Sequence, residues 1–283
     1  MPIEFHKMHG AGNDFVVLDL RNQPHASLTP GLITKLCDRH RGIGCDQLVV
    51  LNAARGSEAD LAVAFFNPDG SEAGACGNAS RCVALFESKR MGTDRVALQT
   101  MAGLLPASIN EDGRVTVDMG APRLDWTDVP LAHPCDTLAL DLPHRPAACS
   151  MGNPHATLVF GPEGDMPDPA ALGPVLEHHA LFPERANIGF ARMIAPDCMR
   201  LRVWERGAGL TLACGSGACA AVVNAARQGH AARACTVEVD GGVLDIDWRM
   251  PDRPGEEGHV FMTGPATFVF SGVFSDSLPE DHS

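Results

Sequence analysis

The words Ala75-Cys76-Gly77-Asn78 and Ala213-Cys214-Gly215-Ser216 stand 138 residues apart in a chain of 283, close to half its length. Each leads into small and apolar residues, Ala79 to Phe86 in the first copy and Gly217 to Val223 in the second, that read as a buried helix. This repeat predicts a fold that is made twice. Cys76 and Cys214 then each fall at a helix mouth. There the unpaired backbone N–H groups and the positive end of the helix dipole stabilise a thiolate and can hold a carboxylate.

Other words repeat at nearly the same spacing. Gly-Asn loops occur at Asn13 and Asn153, 140 residues apart. Asn67 and Glu205, 138 apart, each close the strand before a Cys loop. Short strands are expected at Ile3–His9, Phe15–Leu18, Gln47–Leu51 and Leu61–Phe66, the last as a buried strand. Thr29-Pro30 reads as a cap followed by a first-turn proline, opening a helix to Leu36. In the second half, Gly215 to Arg227 reads as the buried helix and Gly229 as its stop, with four short strands to follow. The fold class expected is α/β of the α+β kind: two similar domains, each a curved mixed sheet wrapped around a central helix, with a ligand cleft between them. Gly120-Ala121-Pro122 is the hinge, giving residues 1–120 and 121–265, and the C-terminal residues end frayed.

Composition narrows the function. A net charge of −13 with no basic block argues against nucleic acid or an anionic membrane as partner. The N-terminus has no signal-peptide hydrophobic region, so a cytoplasmic setting and ten reduced cysteines are expected. Without C-x-x-C or H-E-x-x-H words, no metal site is expected. Eight of the cysteines, Cys82 and Cys219 among them, are assigned to packing as small apolar residues. Two helix-mouth thiols facing one cleft put an acid and a base on opposite sides of one carbon. That geometry suits a racemase or epimerase.

Six words in order carry a family resemblance. They are Gly10-Ala11-Gly12-Asn13-Asp14-Phe15, Asn67-Pro68-Asp69-Gly70-Ser71-Glu72, Ala75-Cys76-Gly77-Asn78, Met151-Gly152-Asn153-Pro154-His155, Glu205-Arg206-Gly207-Ala208-Gly209 and Ala213-Cys214-Gly215-Ser216-Gly217-Ala218. Together they closely resemble the diaminopimelate epimerases. The resemblance implies a metal-free, cofactor-independent isomerase with a small-molecule substrate, diaminopimelate, whose LL and meso forms it interconverts on the route to lysine and peptidoglycan. It also implies a homodimer, and a C-terminal strand, about 266–283, that returns to the first domain. Cys76 and Cys214 are its acid/base pair. Asn13, Gln47, Asn67, Asn153 and Asn187 bind the amino and carboxyl groups. The backbone of Gly77-Asn78 and Gly215-Ser216 holds the reacting carboxylate, and Glu205 and Arg206 complete the site. His155 and Glu205 are expected to tune a cysteine. Leu210, where many relatives carry Glu, and Ala79-Ser80 depart from the pattern. The alternatives are a proline or hydroxyproline epimerase on the same scaffold, whose members tend to carry His where this chain has Asn78, an isomerase of the phenazine-biosynthesis type, which lacks the paired cysteines, and a redox-sensing protein that switches through a Cys76–Cys214 disulfide.

Overall fold

The computed structural model describes residues 2–23, 28–74, 76–251 and 258–275. Ala75 of the first Cys word and the C-terminal residues 276–283 lie outside the described residues. The chain divides into two compact units, Met1–Ile109 with Ala266–Ser283, and Asn110–Pro265. Among the described residues, no helix is long and apolar enough to cross a membrane.

The first unit contains β1 (Ile3–Gly10), β2 (Asn13–Asp19), α1 (Pro30–Cys37), β3 (Gln47–Asn52), β4 (Leu61–Phe66), β5 (Glu72–Ala73), α2 (Gly77–Met91), β6 (Arg95–Thr100) and β7 (Gly103–Ile109). β1 and β2 form a hairpin in which Gly10 faces Asn13. Its two turn residues, Ala11 and Gly12, both have positive φ, at 52° and 80°. This is the turn geometry that matches strand twist, and it makes Asn13 the first residue of β2. β2 then pairs parallel with β3, β3 antiparallel with β4, and β4 parallel with β6. On one face of the sheet, Phe5, Val16, Leu18, Leu48 and Val50 pack with Ile33, Leu36 and Cys37 of α1. Thr29 caps α1 by accepting from Leu32 N at 3.3 Å, with Pro30 in the first turn. Phe15, Val17, Val49 and Leu51 point to the opposite face and are buried as well. α2 packs against β1, β2, β6 and β7. β4 differs from its expected full burial, since Ala62, Ala64 and Phe66 are only half-buried.

The second unit contains β8 (Val115–Asp118), β9 (Ala147–Ser150), β10 (Pro154–Phe160), α3 (Pro169–Glu177), β11 (Asn187–Ala195), β12 (Cys198–Glu205), β13 (Gly209–Leu210), α4 (Gly215–Arg227), β14 (Ala234–Val239), β15 (Gly242–Trp248) and β16 (Val260–Gly264). From β9 to β15 the pairings copy those of β1 to β7. They are antiparallel β9–β10, parallel β10–β11, antiparallel β11–β12 and parallel β12–β14. Even the two-residue strands correspond, since Phe66 faces Glu72 in one unit and Trp204 faces Leu210 in the other. β8 adds to this unit by pairing with β16. α4 is buried from Gly215 through Ala225 and packs against β9, β10, β11, β12, β14, β15 and β16. Ala, Val and Cys at these positions suit a helix enclosed by a curved sheet. The last described strand, β17 (Thr267–Phe274), pairs antiparallel with β1 in the first unit.

Candidate active site

The repeat places the candidate residues at matching strand ends. Asn13 opens β2 and Asn153 immediately precedes β10. Gln47 opens β3 and Asn187 opens β11. Asn67 follows β4, and Glu205 ends β12. Cys76 and Cys214 are the capping residues of α2 and α4, both extended at φ −149° and −116°.

In the first unit, these side chains form two short networks. Arg81 Nη2 donates to Asn78 Oδ1 at 2.8 Å, Asn78 Nδ2 to Asn13 Oδ1 at 3.2 Å, and Asn13 Nδ2 to Asp46 Oδ2 at 2.8 Å. Separately, Gln47 Nε2 donates to Asn67 Oδ1 at 3.0 Å, and Asn67 Nδ2 to Ser71 Oγ at 3.1 Å. The Asn67–Gly70 segment is a turn, closed by Gly70 N donating to Asn67 O at 2.9 Å. Cys76 is half-buried at the head of this arrangement.

In the second unit, Asn187 Nδ2 donates to Pro154 O at 2.9 Å, and its Oδ1 accepts from Arg206 N at 2.9 Å. Arg206 is exposed and donates through Nη1 to Glu184 O at 3.0 Å. His155 Nε2 donates to Asn153 Oδ1 at 2.8 Å. Burial first, and then the Arg206 charge, hold the His155 pKa down at about 3, so the ring is neutral. The contact His155 makes is therefore with a substrate-binding candidate, whose amide it orients.

Cys214 is buried, and its sulfur lies 3.8 Å from Ser216 Oγ. Burial pushes its pKa well above the ordinary thiol value. The neighbouring Glu205 carboxylate pushes it further, outweighing hydrogen bonds from Gly217 and Ser216 that favour the thiolate. The helix mouth predicted a stabilised thiolate; desolvation and a like charge win at this sulfur. Glu205 also accepts from Thr211 Oγ1. Gly217 permits the tight packing here, because an added Cβ would stand 3.0 Å from both Cys214 Sγ and Val203 Cγ2. Cys82 and Cys219 are fully buried inside their helices, and burial pushes the Cys82 thiol up to about 12.

Sequence reading missed several residues that organise these groups. Glu177, 3% exposed on α3, accepts from Gly207 N at 2.9 Å and from Trp204 Nε1 at 2.8 Å, fixing the loop that carries Arg206. Asp46 and Arg81 anchor Asn13 and Asn78. The signal for Arg81 was a charged residue inside an otherwise small and apolar helix start. No cluster of potential metal ligands occurs among the described residues.

A family model described as diaminopimelate epimerase matches residues 5–124 and 147–269. The chain is 62% identical to a diaminopimelate epimerase of Gluconobacter oxydans (strain 621H), over 96% of this chain and 99% of that one. It is 56% identical to one of Acidiphilium cryptum (strain JF-5), over 97% of each. A solved structure of a probable proline racemase from Agrobacterium radiobacter K84 shares the fold. Its TM-score is 0.69 at 17% identity, covering 99% of this chain and 94% of that one. The matched segments run through both repeats and contain both helix-mouth cysteines with their flanking polar residues, so this chain belongs to the diaminopimelate epimerase family.

Proposed function

We propose that this enzyme interconverts LL- and meso-2,6-diaminopimelate by moving a proton between Cys76, Cys214 and the substrate Cα. The observation that carries the reading is the doubled helix mouth: a cysteine at the cap of α2 and of α4, within segments that match the family in both repeats. Removing a Cα proton builds negative charge on the adjacent carboxylate. Backbone N–H groups at Gly77-Asn78 and Gly215-Ser216 are preorganised donors for that charge.

Cys214 holds its proton in the free enzyme, and each cysteine serves as base in one direction and as acid in the other. A thiol of raised pKa is a reluctant acid but, once it has given up its proton, a strong base. That suits Cys214 to the direction in which it takes the proton. Asn13, Gln47, Asn67, Asn153, Asn187 and Arg206 read the amino and carboxyl groups, and the arginine has the fork geometry for a carboxylate. The working form is a cytoplasmic homodimer. Its candidate surface is β17, where Phe268, Val269, Phe270 and Val273 are 44%, 50%, 47% and 59% exposed.

The test is incubation of reduced enzyme with LL-diaminopimelate in heavy water without added cofactor. Deuterated meso product from the wild type, and loss of epimerisation in both Cys76→Ala and Cys214→Ala, is expected. Exchange on proline or hydroxyproline instead would retain the chemistry and overturn the substrate.

A further inference from the structure

The geometry points to Arg81 and Asp46 as positioning residues that fix which way the Asn78 and Asn13 amides face, through a one-directional hydrogen-bond relay. The inference rests on the proposed role of those two asparagines in binding substrate. A carboxamide has a donor end and an acceptor end of nearly equal size, so a half-turn about its last torsion exchanges them at little steric cost. An amide that must offer N–H to a substrate carboxylate needs something to hold it one way round.

The relay does so from both ends. A guanidinium has donors and no acceptor, so Asn78 must present Oδ1 to Arg81. Its Nδ2 then faces Asn13, which must answer with Oδ1. That leaves Asn13 Nδ2 to meet Asp46, whose ionised carboxylate only accepts. Reversing either amide sets oxygen against oxygen or N–H against N–H. The three bonds run in one sense, from the fully buried Arg81 to the partly exposed Asp46, and each polarises the next. Asn78 and Asn13 are 1% and 9% exposed, so little water can satisfy a reversed amide.

The acceptor end is itself pinned. Asp46 Oδ1 accepts from Arg39 Nη2 at 2.6 Å, and Asp46 Oδ2 also accepts from Asp14 N at 3.1 Å. Asp46 N donates to Asp14 Oδ1 at 3.1 Å. Asp14 is paired with Arg39 and Lys7, which hold its carboxyl at about 2 despite the opposing effect of burial. The Arg81 bond withdraws charge from the Asn78 oxygen and so strengthens Asn78 as a donor.

Because either end alone dictates the sense, the two ends back each other up. Arg81→Gln replaces the one-way donor with a two-way amide, and Asp46→Leu removes the one-way acceptor; an asparagine at 46 would not serve, because Asp14 N would hold its oxygen toward Asn13. Each single variant is expected to raise KM about threefold, and the double variant about thirtyfold, well beyond the product of the singles, with kcat less affected. Arg81→Lys keeps a pure donor, so combined with Asp46→Leu it is expected to match the Asp46→Leu single variant. A merely structural role lowers thermal stability without this excess in KM. A double variant whose KM equals the product of the singles overturns the relay.

A second readout needs no substrate and separates this inference from the functional reading. In side-chain amide NMR spectra, Asn13 and Asn78 are expected to give one set of signals in wild type and single variants, and two sets in the double variant. A single set in the double variant overturns the relay even if the enzyme is active. Two sets there, with wild type inert toward diaminopimelate, sustain the relay and overturn the function. Should Arg81→Gln fail to fold, Arg81→Met paired with Asp46→Leu gives the same comparison.

Discussion

The thiol of Cys214 is hydrogen-bonded to the carboxylate of Glu205, the residue that ends β12. That bond and the burial of the sulfur together keep the proton on Cys214. Glu205→Gln removes the like charge and leaves the burial, so the Cys214 pKa is expected to fall. Ultraviolet thiolate titration against a Cys214→Ser background measures the shift. Loss of base strength is expected to cut kcat about a hundredfold. An unmoved titration would exclude Glu205 as the tuning group.

Gly217→Ala probes the packing around the same sulfur. Alanine gains about 1 kcal/mol in helix propensity over glycine. Overpacking against Cys214 Sγ and Val203 costs about 1–3 kcal/mol. A net loss of about 1 kcal/mol is expected in denaturant melts. The displaced thiol should lower kcat at least tenfold.

His155 bears on acid stability. Its folded pKa of about 3 lies below the ordinary histidine value of 6.5. Below 6.5 the unfolded chain takes up a proton that the folded chain refuses, so stability is lost as pH falls from there toward 3. The ring should stay neutral at pH 5 by nitrogen NMR. His155→Phe should flatten the acid slope of stability while raising KM about tenfold, because Asn153 loses its orienting partner.

The apolar exposure of β17 predicts the assembly surface. Val269→Lys combined with Val273→Lys adds charge at side chains already half-exposed or more, so folding should be unaffected. Sedimentation equilibrium is expected to report a dimer for the wild type and a monomer for the double variant. A wild-type mass for the double variant would move the interface elsewhere.

What was legible in the sequence follows from what is local. The helix starts at Cys76 and Cys214, the Thr29-Pro30 cap and the Gly70 turn depend on a few neighbouring residues, and each was readable. β5 and β13 were not, because a two-residue strand such as Glu72–Ala73 has no periodicity and exists only by pairing with β4. The parallel neighbours β2 with β3 and β10 with β11 are likewise set by long-range packing. The same limit explains Cys214. Its position at a helix mouth shows in the Cys-Gly-Ser word, but its desolvation comes from residues far away in the chain. Asp46 was visible as a residue but silent as a partner, since its link to Asn13 spans 33 positions; Arg81 stands one turn after Asn78 on α2, and what was not readable is that packing brings Asn78 onto Asn13.

The pairing of β17 with β1 has a consequence for biosynthesis. The second unit is one continuous stretch, Asn110–Pro265, and has all its strands once that stretch has left the ribosome. The first unit does not. Its β1 precedes the second unit in the chain, and one edge of it must wait for Thr267–Phe274, which follows that unit. The nascent chain therefore carries an unfinished sheet edge for as long as the whole second unit takes to be made, and of the two units the one that begins first is completed last.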